Sequence, residues 1–272
     1  MSISESDATF DGSIPKLYEM YFVPMVFVHC ADELVKRLSG RKLSNVIEIA
    51  AGTGVVTRAM TSILPESVSI IATDLNEPML EQAKFVGTKR PVEWRQADAM
   101  SLPFSDEMFD AVICQCGVMF FPDKAKAFAE VRRVLRPGGV FVFNTWDRIE
   151  ENEFIDTVTT ALAKLFPANP PRYHARVPHG YHDRTTIERD LVEAGFTALP
   201  EIETFAARSE ARSARIPALA YCQGTPMRSE IEERDPTLLS DATVVAAKAI
   251  AERFGTGQIS GKIQAHFVTV EK

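Results

Sequence analysis

From residue 46 onward, short apolar runs alternate with stretches whose apolar residues fall on one helical face. Val46-Ile47-Glu48-Ile49-Ala50 has the pattern of a buried strand running into the turn Gly52-Thr53-Gly54. Residues 55–64 continue as a helix that stops near Pro65, and 67–74 form a second apolar strand. Asn76 offers a cap for a helix to about residue 86, with Glu77 and Pro78 in a first turn that suits both. Residues 92–97, 109–116 and 140–146 are the third, fourth and fifth strands. Asp123 caps a helix whose Phe128, Val131 and Leu135 share a face, and Arg136-Pro137-Gly138-Gly139 marks a turn before the fifth strand. Strands alternating with helices of about ten residues imply right-handed crossovers on a mostly parallel sheet covered on both faces. The predicted fold class is therefore α/β, a doubly wound sheet.

The flanks are less regular. Residues 1–15 read as a polar, mobile leader, and 16–38 as one or two helices broken at Pro24. Beyond the fifth strand come a helix over 151–166 and a loop over 167–178 that holds four prolines. A helix over 185–194 ends before Gly195. Residues 197–206 make a strand, 210–256 are helical with breaks near Pro226 and Pro236, and 262–271 make a final strand paired with 197–206. The sheet then has seven strands. The expected organisation is an N-terminal helical cap (1–45), an α/β core (46–206) with a loop or lid at 167–184, a helical insertion (207–260) and a last strand (261–272).

Composition narrows the function. Of 272 residues, 46 % are hydrophobic and 25 % charged, ordinary globular values. With 37 acidic against 30 basic side chains, the net charge is −7 and the pI about 5.4, which argues against a nucleic-acid binder. The first 35 residues hold six acids against Lys16 alone, unlike a secretory signal. The apolar run 21–28 contains Pro24 and is too short to span a bilayer. A soluble cytoplasmic protein is expected. Cys30, Cys114, Cys116 and Cys222 are scattered, form no zinc pattern and read as reduced, packed thiols; no metal is expected.

In open parallel sheets, ligands bind beyond the carboxyl ends of the strands, at the switch point. Here that end is Ala50-Ala51-Gly52-Thr53-Gly54, where two glycines allow close backbone approach and the following helix offers free N–H groups. Asp74 ends the second strand, where an acid can accept from both hydroxyls of a ribose.

The segment Val46-Ile47-Glu48-Ile49-Ala50-Ala51-Gly52-Thr53-Gly54 resembles the first motif of the class I S-adenosylmethionine-dependent methyltransferases. Four further segments are similar to that family in the same order. They are Asp74, Ala97-Asp98-Ala99 with Leu102-Pro103-Phe104, Phe109-Asp110-Ala111-Val112, and Leu135-Arg136-Pro137-Gly138-Gly139. The nearest likeness is to the ubiquinone/menaquinone-biosynthesis type. One departure is Ala50, where many members carry glycine; it should tighten the methionine end of the pocket. The resemblance implies a methyltransferase fold with an antiparallel last strand, and S-adenosylmethionine as cofactor (S-adenosylhomocysteine as product).

It also implies a set of cofactor-binding residues. Ala50, Gly52 and Gly54 would pass under the methionine and ribose, with Glu48 steadying the turn. Asp74 would hold the ribose, and Leu75 and Met79 would pack on the adenine. Asp98 and the Ala99 N–H would meet the adenine edge, the Gln115 backbone would face the methionine amino group, and Tyr21 would close the pocket. The rival dinucleotide motif needs a third glycine where the chain has Thr57.

The implied activity is methyl transfer to a small-molecule acceptor, on O, C or N, with no nucleic-acid partner, no membrane span and a homodimer as one possible assembly. A non-catalytic cofactor-binding or regulatory protein of the same fold is the alternative. A protein or nucleic-acid methyltransferase is a third reading, lowered by the acidity and by Gln115-Cys116-Gly117-Val118 in place of an Asn/Asp-Pro-Pro-aromatic signature. Catalytic residues are not assigned. Residues 172–184 hold three histidines and three arginines against Asp183. They read as a solvated basic loop, a metal site, or a lid recognising an anionic or phenolic acceptor, with His179 or His182 as base or orienter. Met119, Phe120, Phe121 and Trp146 either line an apolar acceptor pocket or pack the core.

Overall fold

The computed structural model describes residues 4–272. Seven strands form one sheet: β1 (Asn45–Glu48), β2 (Ser69–Asp74), β3 (Glu93–Gln96), β4 (Phe109–Gln115), β5 (Leu135–Trp146), β6 (Glu201–Ala211) and β7 (Ile259–Glu271). Their order is β3-β2-β1-β4-β5-β7-β6, parallel from β3 to β5, with β7 antiparallel to both neighbours. This is the α/β sheet expected from the alternation. β1, β2 and β4 are buried on both faces, which is why they read as continuous apolar runs rather than as alternating strands. The order reverses between β1 and β4, so the crevice lies at their carboxyl ends.

The helices are α1 (Ile14–Leu17), α2 (Val28–Lys36), α3 (Val55–Ile63), α4 (Glu77–Val86), α5 (Lys124–Val134), α6 (Glu153–Leu165), α7 (Tyr173–Arg176), α8 (Arg184–Glu193), α9 (Arg215–Gln223), α10 (Met227–Arg234) and α11 (Leu239–Phe254). α6, α9 and α11 pack on one another beside the β7 end of the sheet.

Five expectations need correction. The helix does not break at Pro24, because Tyr18–Phe27 is π-helical and joins α1 to α2. The wider turn moves away the carbonyl that a proline ring would strike in an α-helix. Arg136-Pro137-Gly138-Gly139 is not outside the fifth strand. Phe109 pairs with Leu135 and Ala111 with Val140, so residues 136–139 bulge within β5.

The strand expected over 197–206 starts and ends later. It pairs with β7 over eleven residues to Ala211, five positions beyond its expected end and two positions into the stretch read as helical. The leader is not loose over its described part. Residues 4–13 lie against the body, held as detailed below, while residues 1–3 of that leader fall outside the described residues. The loop expected over 167–178 contains the short helix α7. All four cysteines are buried free thiols. Among the described residues, no helix is long and apolar enough to cross a membrane.

Candidate functional site

β1 ends in a turn that the second strand fixes. The Ala51 N–H donates to the Thr73 carbonyl (2.9 Å), and the Gly52 N–H to Asp74 Oδ2 (2.8 Å). Asp74 Oδ1 accepts from the Asn76 N–H (2.8 Å). Burial pushes the Asp74 carboxyl up, opposed by these N–H bonds. The turn needs left-handed backbone at Ala50 (φ 53°) and Gly52 (φ 56°). Ala50 fits because Gly117 faces it: a Cβ on Gly117 would lie 2.5 Å from the Ala50 Cβ.

Above this turn opens a cavity of about 500 Å³. Ala50, Gly52, Asp74 and Leu75 line it from the ends of β1 and β2, Met79 from α4, Asp98 and Ala99 from the loop after β3, and Gln115 from the end of β4. Asp98 Oδ1 closes its own loop on the Met100 N–H (2.8 Å). The Ala99 N–H has no protein acceptor among the described residues. The loop is braced from outside, where Glu130 accepts from the Leu102 N–H (2.8 Å) and Arg133 binds the Leu102 and Phe104 carbonyls. Gln115 Oε1 is buried and without a hydrogen-bond partner.

Three sequence-predicted residues do not line the cavity. Glu48 lies behind the turn, 1 % exposed, where it accepts from the Thr57 hydroxyl. Burial pushes its carboxyl up to about 8. Thr57 thus occupies the third-glycine position of a dinucleotide motif and ties α3 to β1. Gly54 caps α3 at φ 84°, and a Cβ there would meet Trp94 at 2.9 Å, so its role is packing. Tyr21 packs on the core. Tyr18 takes the cavity wall instead, together with Phe10, Asn76 and Cys116, none of which the sequence singled out as a ligand contact.

Asn76 is a correction of role. It sits at the start of α4, but its side chain makes no cap bond. Instead Nδ2 donates to the Ala8 carbonyl and Oδ1 accepts from the Phe10 N–H, both at 3.0 Å. It therefore holds residues 8–10 over the cavity. Asp7 secures the same segment. It receives two bonds from Arg176 at 2.6 Å, and Arg176 also reaches Glu230 (2.8 Å). Burial pushes the Asp7 carboxyl up, but Arg176 and Ser4 hold it below its ordinary value.

The motif residues at the other end of the sheet are structural. Asp110 accepts from the Ser44 and Asn45 N–H groups (2.7 and 2.8 Å) and from Arg136 (2.6 Å), joining the starts of β1, β4 and β5.

A second, smaller cavity of about 60 Å³ adjoins the first, and Phe10, Tyr18, Cys116 and Phe120 line both. Trp146, Tyr173, His174 and His179 form part of its far wall. Of the four residues read as pocket lining or core, Phe120 lines both cavities, Trp146 the smaller, Phe121 the larger and Met119 neither. The histidine-rich loop divides. His174 and His179 turn inward, while His182 lines neither cavity and bonds the His179 carbonyl (2.8 Å). Burial lowers His174 to about 3 and His179 to about 4, so both are neutral near pH 7. Two of the loop's three arginines are engaged elsewhere: Arg176 with Asp7 and Glu230, Arg184 with the Ile202 carbonyl. No lysine, arginine, aspartate or glutamate lines the smaller cavity among the described residues, which removes the expected cationic grip on an anionic acceptor. Among the described residues, no group of three or more metal-ligating side chains is gathered.

Residues 47–143 match the family described as a methyltransferase domain. The Escherichia coli ubiquinone/menaquinone biosynthesis C-methyltransferase UbiE is 28 % identical over 180 residues, covering 58 % of this chain and 68 % of that protein. The YcgJ protein of Bacillus subtilis has a similar fold at 20 % identity (TM-score 0.57), over 90 % of this chain and 98 % of its own. So does a Haemonchus contortus phosphoethanolamine N-methyltransferase solved with phosphomonomethylethanolamine and S-adenosylhomocysteine. It is 17 % identical with a TM-score of 0.58, over 95 % of this chain and 56 % of its own. Family match, sheet order and the cavity at the switch point agree: residues 47–143 are similar to a methyltransferase domain, and the chain has the fold of these solved proteins.

Proposed function

We propose that the larger cavity holds S-adenosylmethionine and the smaller one a small-molecule methyl acceptor. The observation that carries this reading is the shared wall: two cavities of unequal size and character meet at Phe10, Tyr18, Cys116 and Phe120. The residues present fit the cofactor. Asp74 offers two carboxylate oxygens at the end of β2 for a ribose, and Ala50 and Gly52 leave the backbone open beneath it. Gln115 Oε1, buried without a partner, supplies an acceptor for an ammonium group. Asp98 and the Ala99 N–H supply the acceptor–donor pair that an adenine edge requires, with Leu75 and Met79 as the apolar floor.

When bound, the cofactor supplies an electrophilic methyl on a sulfonium, whose leaving group departs neutral. The protein's share is positioning and exclusion of water. Residues 8–10 line the larger cavity and Phe10 lines both, standing edge-to-face with Tyr18 at 6.1 Å. No acid is needed, and a base only if the acceptor must lose a proton. The buried free thiols fit work in the cytoplasm.

Calorimetric titration of S-adenosylhomocysteine into the wild type and Asp74→Ala tests the assignment. The wild type should bind, and the variant should bind about ten- to a hundredfold more weakly, as for losing hydrogen bonds to a charged group. Equal binding by both, or none by folded wild type, would sink the cofactor site.

A further inference from the structure

A third cleft, of about 780 Å³, opens on the other face of the 172–181 loop. Tyr173, His174 and His179 turn to the smaller cavity, whereas Arg172, Arg176 and Tyr181 turn to this cleft. It shares no described lining residue with either cavity. In a chain of net charge −7 its lining is basic: Lys124, Arg172, Arg176, Arg189 and Arg234 against Asp190 and Glu230.

Three of the five cations are engaged within the protein. Arg176 is held by Asp7 and Glu230, and Arg189 by Asp190 (2.9 Å). Arg234 donates to the Asn169 carbonyl (2.7 Å) and faces Glu230 at 3.8 Å. The two acids have further partners. Asp190 accepts from the Tyr181 hydroxyl (2.9 Å), and Glu230 from the Arg172 and Tyr173 N–H groups (2.8 and 3.2 Å).

Lys124 and Arg172 are left without a carboxylate partner among the described residues. Lys124 is half-buried. Its Nζ donates to the Phe121 carbonyl (2.8 Å), reaches the Met119 carbonyl at 3.4 Å and lies 4.9 Å from the centre of the Tyr181 ring. One of its three N–H groups remains free. Burial pushes its ammonium below the ordinary value, as for a cation taken from water without a counter-ion in contact. The neighbouring Asp123 is turned to the Lys126 N–H (2.9 Å), capping α5. Arg172 is exposed, and Glu230 anchors its main chain while its guanidinium makes no hydrogen bond among the described residues. A compact ammonium and a planar guanidinium lining one cleft suit the oxygens of an oxyanion.

We infer that this cleft binds a small, doubly charged oxyanion, a phosphoryl or dicarboxylate compound, through Lys124 and Arg172, and that the bound anion braces the 172–181 loop. Two uncompensated cations match two negative charges. They are too few for a nucleic acid, whose binding rests on a series of phosphate contacts along an extended surface. The inference is independent of the proposed cofactor and acceptor cavities, and its failure leaves them untouched.

The test is hydrogen exchange on the full chain at about pH 8 with inorganic phosphate, malonate or sodium chloride at equal ionic strength. Peptides from residues 172–189 should exchange about threefold or more slowly with phosphate, malonate or both, and no more slowly with chloride, while β4 and β5 stay unchanged. Protection by phosphate alone identifies a phosphoryl ligand, by malonate alone a dicarboxylate, and by both the shared chemistry. The concentration needed should rise about tenfold in Lys124→Gln and about threefold in Arg172→Gln. Lys126→Gln removes the same charge outside the cleft and should bind as the wild type does. Arg172→Gln breaks no hydrogen bond within the described residues, so misfolding does not account for its loss. Equal protection by chloride, protection by neither dianion, or binding retained in both cleft variants overturns the inference. So does protection by a polyglutamate peptide but by neither dianion, which would make the cleft a docking face for an acidic chain.

Discussion

At the scale of single residues, the site is built from side chains that answer one another across the sheet. Ala50 occupies left-handed backbone that costs a residue with a Cβ about 1 kcal/mol, and Gly117 leaves room for that Cβ. Ala50→Gly should therefore raise stability by about 0.5–1 kcal/mol in denaturant unfolding. Gly117→Ala should lower it by more, since its Cβ would meet Ala50 and Cys114 at 2.5 and 2.7 Å. Unchanged stability in Gly117→Ala would show that the turn and strand end move freely. Glu48 makes a pH prediction. Burial raises its folded pKa to about 8, above the ordinary 4.5, so the folded state holds a proton that the unfolded chain releases. Its contribution is complete below pH 4.5 and is lost as pH rises towards 8, on the order of 5 kcal/mol. Glu48→Gln should show a flatter stability profile from pH 6 to 8.5; parallel profiles would contradict it.

At the scale of elements, the least regular sequence forms the roof. The segment 4–13 has no hydrophobic period to announce it. It is held by Asn76 at one point and by the Asp7–Arg176–Glu230 cluster at another. Removing Arg176 leaves the buried Asp7 unpaired, the costly way to break an ion pair. Arg176→Ala should speed amide hydrogen exchange in peptides from residues 4–13 by about tenfold or more while β4 and β5 keep their protection. Unchanged exchange in that segment would show that Asn76 and apolar packing suffice. The π-helical stretch Tyr18–Phe27 explains a miss in the site residues. It shifts helical phase, so Tyr18 rather than Tyr21 reaches the cavity. A reading at 3.6 residues per turn has no means of seeing that shift.

At the scale of the whole molecule, β7 joins β6 to the parallel core, and the 172–184 loop brings neutral histidines inside. Burial lowers His174 to about 3 and His179 to about 4, against 6.5 in the unfolded chain. Above pH 6.5 both states are neutral there, and the histidines do not affect the balance. As pH falls below 6.5, the unfolded chain takes up protons that the folded state resists, so stability falls until about pH 4. The loss for His179 alone is on the order of 3 kcal/mol. The thermal midpoint should drop across that window, and His179→Asn should drop less. A variant as acid-sensitive as the wild type would mean that His179 protonates without cost in the fold.

Residues 46–146 disclosed their fold because β1, β2, β4 and the second half of β5 are apolar runs and each turn carries its own glycine, proline or acid. Those signals are local, and so are the turn at Gly52, the acid at Asp74 and the loop at Asp98, which the sheet then brings to one cavity. Burial and partners are not local. The sequence gives Glu48 and Asp98 alike as acids near a cofactor motif; the packing of α3 puts Glu48 behind the turn and leaves Asp98 on the wall. It gives the 172–184 loop as a run of positive and titratable groups. The tertiary structure turns His174 and His179 inward, neutralises them by burial, and spends Arg176 on Asp7, 169 positions away. Alternation and turn chemistry thus determined the scaffold and where a ligand meets it. The second cavity was decided by contacts between segments far apart in the chain, whose pairing no local pattern encodes.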